Sequence, residues 1–168
     1  MSTYGGGYMK NKKILIIITI LLLVIIVGFV LFIKKSNGFS STDSLLSNLE
    51  SVVNNENGNK IITCYPDFIQ SSLPQFSENK IVDFHNKVGD ISFETTNKNQ
   101  YDSESALSQQ NEINKEYNCN IKLEDYQILT CRYHEGFNET SFEFIKIDGK
   151  WYLYYSGYLP EPLSYFVE

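Results

Sequence analysis

The sequence predicts an α+β fold carried behind an N-terminal transmembrane helix. Three observations predict it: an uncharged apolar run over residues 14–33, helical spacing of apolar residues through the first half of the chain beyond that run, and an Asp148-Gly149 pair set between two aromatic, β-branched runs near the end.

The apolar run comes first. From 14 to 33 every residue is apolar except Thr19 and Gly28. A helix of that length rises ~30 Å, the hydrocarbon thickness of a bilayer. A cleaved signal peptide has a shorter apolar region, ~7–15 residues, and then a small-x-small site. Here Phe32-Ile33-Lys34-Lys35 comes instead, with no lipid-accepting Cys. The run reads as an uncleaved single-pass anchor. Lys10, Lys12 and Lys13 on the near flank outnumber Lys34 and Lys35 on the far one, which places the N-terminus in the cytoplasm and the C-terminal domain outside the cell membrane. The expected organisation is a short cytoplasmic tail at 1–13, a transmembrane helix at 14–33, a linker at 34–41 and an extracytoplasmic α+β domain at 42–168.

Charge divides at the same place. The five lysines before position 36 have no acid among them, while the remaining chain sets nine basic residues against all 20 acids, a balance of −11. Such a body repels phosphate backbones, which argues against nucleic-acid binding. With 168 residues there is room for one folded domain and not for two.

Along the exterior segment, Thr42 or Ser41 caps a helix with Asp43 in its first turn. Leu45, Leu46, Leu49, Val52 and Val53 make its apolar stripe, and Asn54-Asn55-Glu56-Asn57-Gly58 ends it. A second helical stretch, 60–73, is interrupted at Pro66, which starts a new turn. Ser77 caps a third helix with Ile81, Val82, Phe84 and Val88 on its apolar face and Gly89 as its stop. Residues 91–96 alternate as a strand, with Ile91, Phe93 and Thr95 on one side. Asp102 or Ser103 opens a fourth helix whose stripe is Ala106, Gln110, Ile113 and Tyr117. Strands come next at 126–134, 140–147 and 150–156, the last two joined by the Asp148-Gly149 turn.

This order of elements, with Tyr65-Pro66-Asp67 on the second helix and the late hairpin Phe144-Ile145-Lys146-Ile147-Asp148-Gly149-Lys150-Trp151-Tyr152-Leu153, resembles the nuclear transport factor two-like superfamily. In particular it is similar to the membrane-anchored extracytoplasmic members of that superfamily in Gram-positive bacteria. The resemblance covers residues 42–158 and its specific part is the Asp-Gly-Lys-Trp-Tyr hairpin. It implies a cystatin-like cone, a curved antiparallel sheet wrapped on helices, with a pocket. It implies no particular activity.

Few residues carry chemistry. Cys64, Cys119 and Cys131 lack the paired spacing of a zinc site, and the only histidines are His85 and His134. No cofactor or metal is expected. Outside the cell, Cys119 and Cys131 are the best disulfide pair; three buried free thiols are the competing reading. His134 beside Glu135 has the composition of a general base, but neighbouring strand residues face opposite ways. His85, next to Phe84, reads as a packing or surface residue. Trp151, Tyr152, Tyr154 and Tyr155, with His134, are candidates for a pocket or contact surface, against packing on both sheet faces. No nucleophile elbow, phosphate loop or zinc-protease motif occurs.

The leading expectation is a membrane-tethered, non-catalytic domain acting by protein or small-ligand binding at the cell surface, with self-association as one form of partnership. A pocket-containing enzyme or small-molecule binder of the same fold is the first alternative. The second is an accessory subunit of an envelope secretion or conjugation assembly.

Overall fold

The computed structural model describes residues 38–133 and 139–168. The expected tail, the anchor, the first half of the linker and His134 lie outside them. Among the described residues no helix is long and apolar enough to cross a membrane. What they form is a mixed α+β unit with one four-stranded antiparallel sheet in the order β1-β2-β3-β4.

Helix α1, Thr42–Asn54, starts where its capping residues dictate. Ser41 Oγ accepts from the Ser44 amide at 3.0 Å, and Ser44 Oγ accepts from the Ser41 amide at 3.1 Å, a reciprocal capping box. Its predicted stripe of Leu45, Leu46, Leu49, Val52 and Val53 is buried throughout. The linker is shorter than expected. Phe39 already exchanges two backbone bonds with Trp151, at 3.0 and 2.8 Å, and a Cβ on Gly38 would lie 2.5 Å from Tyr152 Cζ.

The stretch expected as a helix interrupted at Pro66 is instead a 3₁₀ helix, Gly58–Cys64, and a single α turn, α2, Asp67–Gln70. Pro66 caps α2, as its missing amide and fixed φ favour. Helix α3, Glu78–Val88, stops at Gly89 with φ +81. Helix α4, Ser103–Glu116, is capped by Asp102 Oδ1 accepting from the Ser105 amide at 2.8 Å.

The strands are β1 (Glu94–Gln100), β2 (Asp125–Arg132), β3 (Thr140–Ile147) and β4 (Lys150–Leu153). A second 3₁₀ helix, Leu163–Phe166, closes the chain. The strand expected at 91–96 begins three residues later and is exposed along its whole length. Ile91 and Phe93 do point into the core, but side chains of α1, not a strand, satisfy their backbone. Asn54 Nδ2 donates to the Ile91 carbonyl and Asn54 Oδ1 accepts from the Ile91 amide, both at 2.9 Å, and Glu50 Oε1 accepts from the Phe93 amide. The last strand also ends early. Tyr154 still donates to the Glu143 carbonyl at 2.9 Å, but Gly157, with φ +84, turns the chain away.

Register assigns the two sheet faces. Leu129 lies opposite Phe142, and Gln127 opposite Phe144, which on its other side faces Leu153. This face looks toward α1, and Phe93 packs edge-on to Phe142 with ring centroids 5.1 Å apart. On the other face Tyr126, Ile145 and Tyr152 form one row. There α4 packs against β2 and Glu116 accepts from the Tyr154 hydroxyl at 3.0 Å.

Removing the Asn54 amide leaves both backbone groups of Ile91 without their partners. Asn54→Ala is therefore expected to lower the unfolding free energy by about 2 kcal/mol. Asn55→Ala, at an exposed position, is expected to cost less than about 0.5 kcal/mol. Urea denaturation of the two variants beside the parent measures both.

Candidate functional site

A surface cleft of about 350 Å³ opens where β3 begins. Glu139, Thr140 and Ser141 form one wall and Tyr158 and Glu161 the other. Gly157 throws Tyr158 outward, leaving its ring 68% exposed. Glu161 is held from behind: Tyr133 donates its hydroxyl to Glu161 Oε2 at 3.2 Å, and Tyr165 donates to the same carboxylate. Burial pushes the Tyr133 hydroxyl pKa up, and the Glu161 charge adds to it; for Tyr165 the hydrogen bond to Glu161 is the main cause of a rise. Both phenols stay protonated and serve as donors. Glu139 is loosely paired with Arg132 at 3.8 Å, a solvent-exposed contact of small worth.

A second depression, about 300 Å³, lies between the 3₁₀ segment and α3. Its polar groups are engaged with one another: Asn59 Nδ2 donates to Glu78 Oε1 at 2.7 Å, and the Glu168 amide to the Gln75 carbonyl at 3.2 Å.

The residues singled out from the sequence have other roles. Trp151, Tyr152 and Tyr154 are buried and Tyr155 half-buried, so the aromatic strand packs on both faces. The sheet face that an internal pocket would need is filled by Leu129, Phe142, Phe144 and Leu153. His134 lies outside the described residues. The expected Cys119–Cys131 bridge is absent, and all three cysteines are free thiols. Cys131 Sγ lies 3.8 Å from Thr95 Oγ1 on the α1 side of the sheet, whereas Cys119 Sγ lies 3.3 Å from Asn114 Oδ1 behind α4. The two flank the sheet in sequence but occupy different packing environments. Burial raises the Cys64 thiol to about 12 and the Cys131 thiol to about 11.

His85 proves more than a surface residue. Its Nδ1 meets Glu56 Oε1 and its Nε2 meets Asp90 Oδ1, each at 2.9 Å. With a carboxylate on each ring nitrogen the imidazolium form is favoured, so its pKa is raised, first by the Glu56 bond and then by Asp90. The ring also sits in the last turn of α3, where a helix favours positive charge. It is a clamp, with neither nitrogen free to act as a base. Among the described residues no three His, Cys, Asp or Glu side chains converge as metal ligands.

Compared with protein-family models, with curated proteins and with solved structures, the chain matches none.

Because His85 is raised above its ordinary value of about 6.5, its contribution to stability is complete below that pH and disappears as pH climbs through the raised value. Thermal melts from pH 6 to 9 are expected to show this loss in the parent and a flatter profile in His85→Gln. For the cysteines, alkylation of the folded protein is expected to label Cys119 alone. After denaturation without reductant all three are expected to label, and mass spectrometry reads both counts.

Proposed function

We propose that this chain is a single-pass, membrane-anchored protein whose folded body sits outside the cell membrane and works by binding a protein or a small ligand, without catalysis. The observation that carries this reading is the uncharged apolar run at 14–33, set between lysines and succeeded by a body with a balance of −11. The structure supports it in two ways. The described residues form an α+β body with its own core, to which Phe39 is already paired. Its interior is spent on packing, and its most open aromatic side chain, Tyr158, lines a surface cleft.

We also read the body as nuclear transport factor two-like. Helices before an antiparallel sheet and the hairpin around Asp148-Gly149 support that reading.

The full chain is expected to co-float with phospholipid vesicles in high salt and to lose residues beyond 36 when intact cells are treated with protease. A chain that stays in the vesicle-free fraction, or a cell-derived product that starts past residue 36, would overturn the tethered reading.

A further inference from the structure

Three titratable side chains meet where α3 gives way to the segment before β1. His85 lies between carboxylates from two separate turns, with Nδ1 2.9 Å from Glu56 Oε1 and Nε2 2.9 Å from Asp90 Oδ1. Glu56 follows α1 at φ +56, a left-handed position that disfavours a residue with a Cβ. Asp90 stands between Gly89, at φ +81, and Ile91. The Gly89 amide also donates to the His85 carbonyl at 2.8 Å. His85 therefore holds the turn at 89–90 twice, by its backbone and by its ring.

A carboxylate only accepts, so each of the two contacts needs a donor on the ring. The imidazolium has two N–H groups and satisfies both. The neutral ring, in either tautomer, has one donor and one lone pair, and a lone pair facing a carboxylate oxygen repels it. One contact must open when the ring loses its proton. The Asp90 side chain is 82% exposed and the Glu56 side chain 39%, so water replaces the ring more readily at Asp90. Glu56 and Asp90 are the charged groups that face the ring. On the other elements packed against α3, Glu50 is engaged with the Phe93 amide, Cys64 with Asn48 and Tyr165 with Glu161. Neither these nor Asp43 and Lys60 on the same elements act on the ring.

From this geometry we infer that His85 is a pH-operated latch: protonated, it ties the turn after α3 to the end of α1, and neutral, it releases Asp90 and lets the segment 90–93 open locally. Asp90 immediately precedes the stretch whose backbone α1 holds, Ile91 through Asn54 and Phe93 through Glu50. Opening uncovers Ile91 and the contact of Phe93 with Phe142, while β2 and β3 stay paired. Bonds to Glu56 and then to Asp90 favour the charged ring, so it titrates above the ordinary value of about 6.5. The latch is closed below the raised value and released as pH climbs through it. It goes beyond the proposed binding role and does not depend on the tether.

The test is hydrogen exchange of the full chain in detergent micelles between pH 5.5 and 9, read by mass spectrometry. Each rate is divided by that of the unfolded chain at the same pH. Peptides covering 89–93 are expected to lose about threefold in protection as the ring gives up its proton, within the range of one exposed charged contact. Low urea is expected to speed that exchange less than it speeds exchange of peptides covering 126–131 and 142–147, because a local opening exposes less surface than unfolding of the whole body. In His85→Gln the step with pH is expected to vanish. In Asp90→Asn it is expected to vanish with protection held near its low-pH level, because the amide can donate to the neutral ring as well as accept from the charged one. A flat profile in the parent, a step that persists in His85→Gln, or equal urea dependence at 89–93 and in β2 and β3 would overturn the latch. Protection that is low at every pH in Asp90→Asn would overturn it too, since simple loss of a charge pair predicts that result.

Discussion

Asn54 grips both backbone groups of Ile91, and the arrangement of the whole body depends on that contact. Along 91–93 the segment between α3 and β1 has one backbone bond to the chain beyond β2, from the Ser92 amide to the Tyr133 carbonyl at 3.4 Å, so the backbone groups of Ile91 and the Phe93 amide need other partners. The polar side of α1 supplies them. Asn54 takes Ile91 and Glu50 takes the Phe93 amide, while the apolar side of the same helix packs into the core. With its backbone satisfied, the segment can bury Ile91 and press Phe93 on Phe142. One helix thereby fixes the depth of the core and the point at which β1 begins.

The sheet edges are handled by the same local economy of polar groups. β1 carries no apolar residue, has Lys98 within it, and its register slips between Thr95 and Asn97. Charge and irregularity of this kind discourage a further strand from adding. At the far edge Phe39 bonds to Trp151, so β4 has a partner from the first described residues. The aromatic strand is closed on its outer side as well as on both faces.

Most of the fold was legible wherever a periodic pattern coincided with burial. The stripe from Leu45 to Val53 and the Asp148-Gly149 turn, with φ +50 and +73 as a primed hairpin requires, come from local rules alone. The helix with Gln110, Ile113 and Tyr117 on one side is a further case. Gln110 accepts from the Leu123 amide, Ile113 is fully buried and Tyr117 donates to the Tyr155 carbonyl. Reading failed where backbone partners are remote. Alternation at 91–96 was genuine, but its apolar residues answer to α1, and the polar residues after them form the strand because β2 offers hydrogen bonds. The cleft was less legible still. It joins Glu139, Thr140 and Ser141 to Tyr158 and Glu161, and no short-range pattern links those positions. Tyr158 lies just beyond the aromatic run at 151–155, whereas Glu161, between Pro160 and Pro162, gave no signal. The clamp on His85 likewise draws its carboxylates from two separate turns.

A single device connects the aromatic interior with the acidic balance of the body. Tyr126 donates to Glu143, Tyr154 to Glu116 and Tyr133 to Glu161. Each tyrosine buries its ring and gives its hydroxyl to a carboxylate, so a core rich in phenols keeps its polar tips satisfied. In each of the three the phenol pKa is raised, with burial as the first cause, so the hydroxyl remains a donor at any physiological pH. The pairs differ in what surrounds the carboxylate. Glu143 also receives Ser156, and Glu116 closes α4 onto the sheet. Glu161 has its tyrosines on one side and a cleft on the other, with Thr140 lining the same space. What elsewhere finishes the packing here leaves acceptor capacity directed at solvent, and that difference sets this cleft apart from the other acidic positions described.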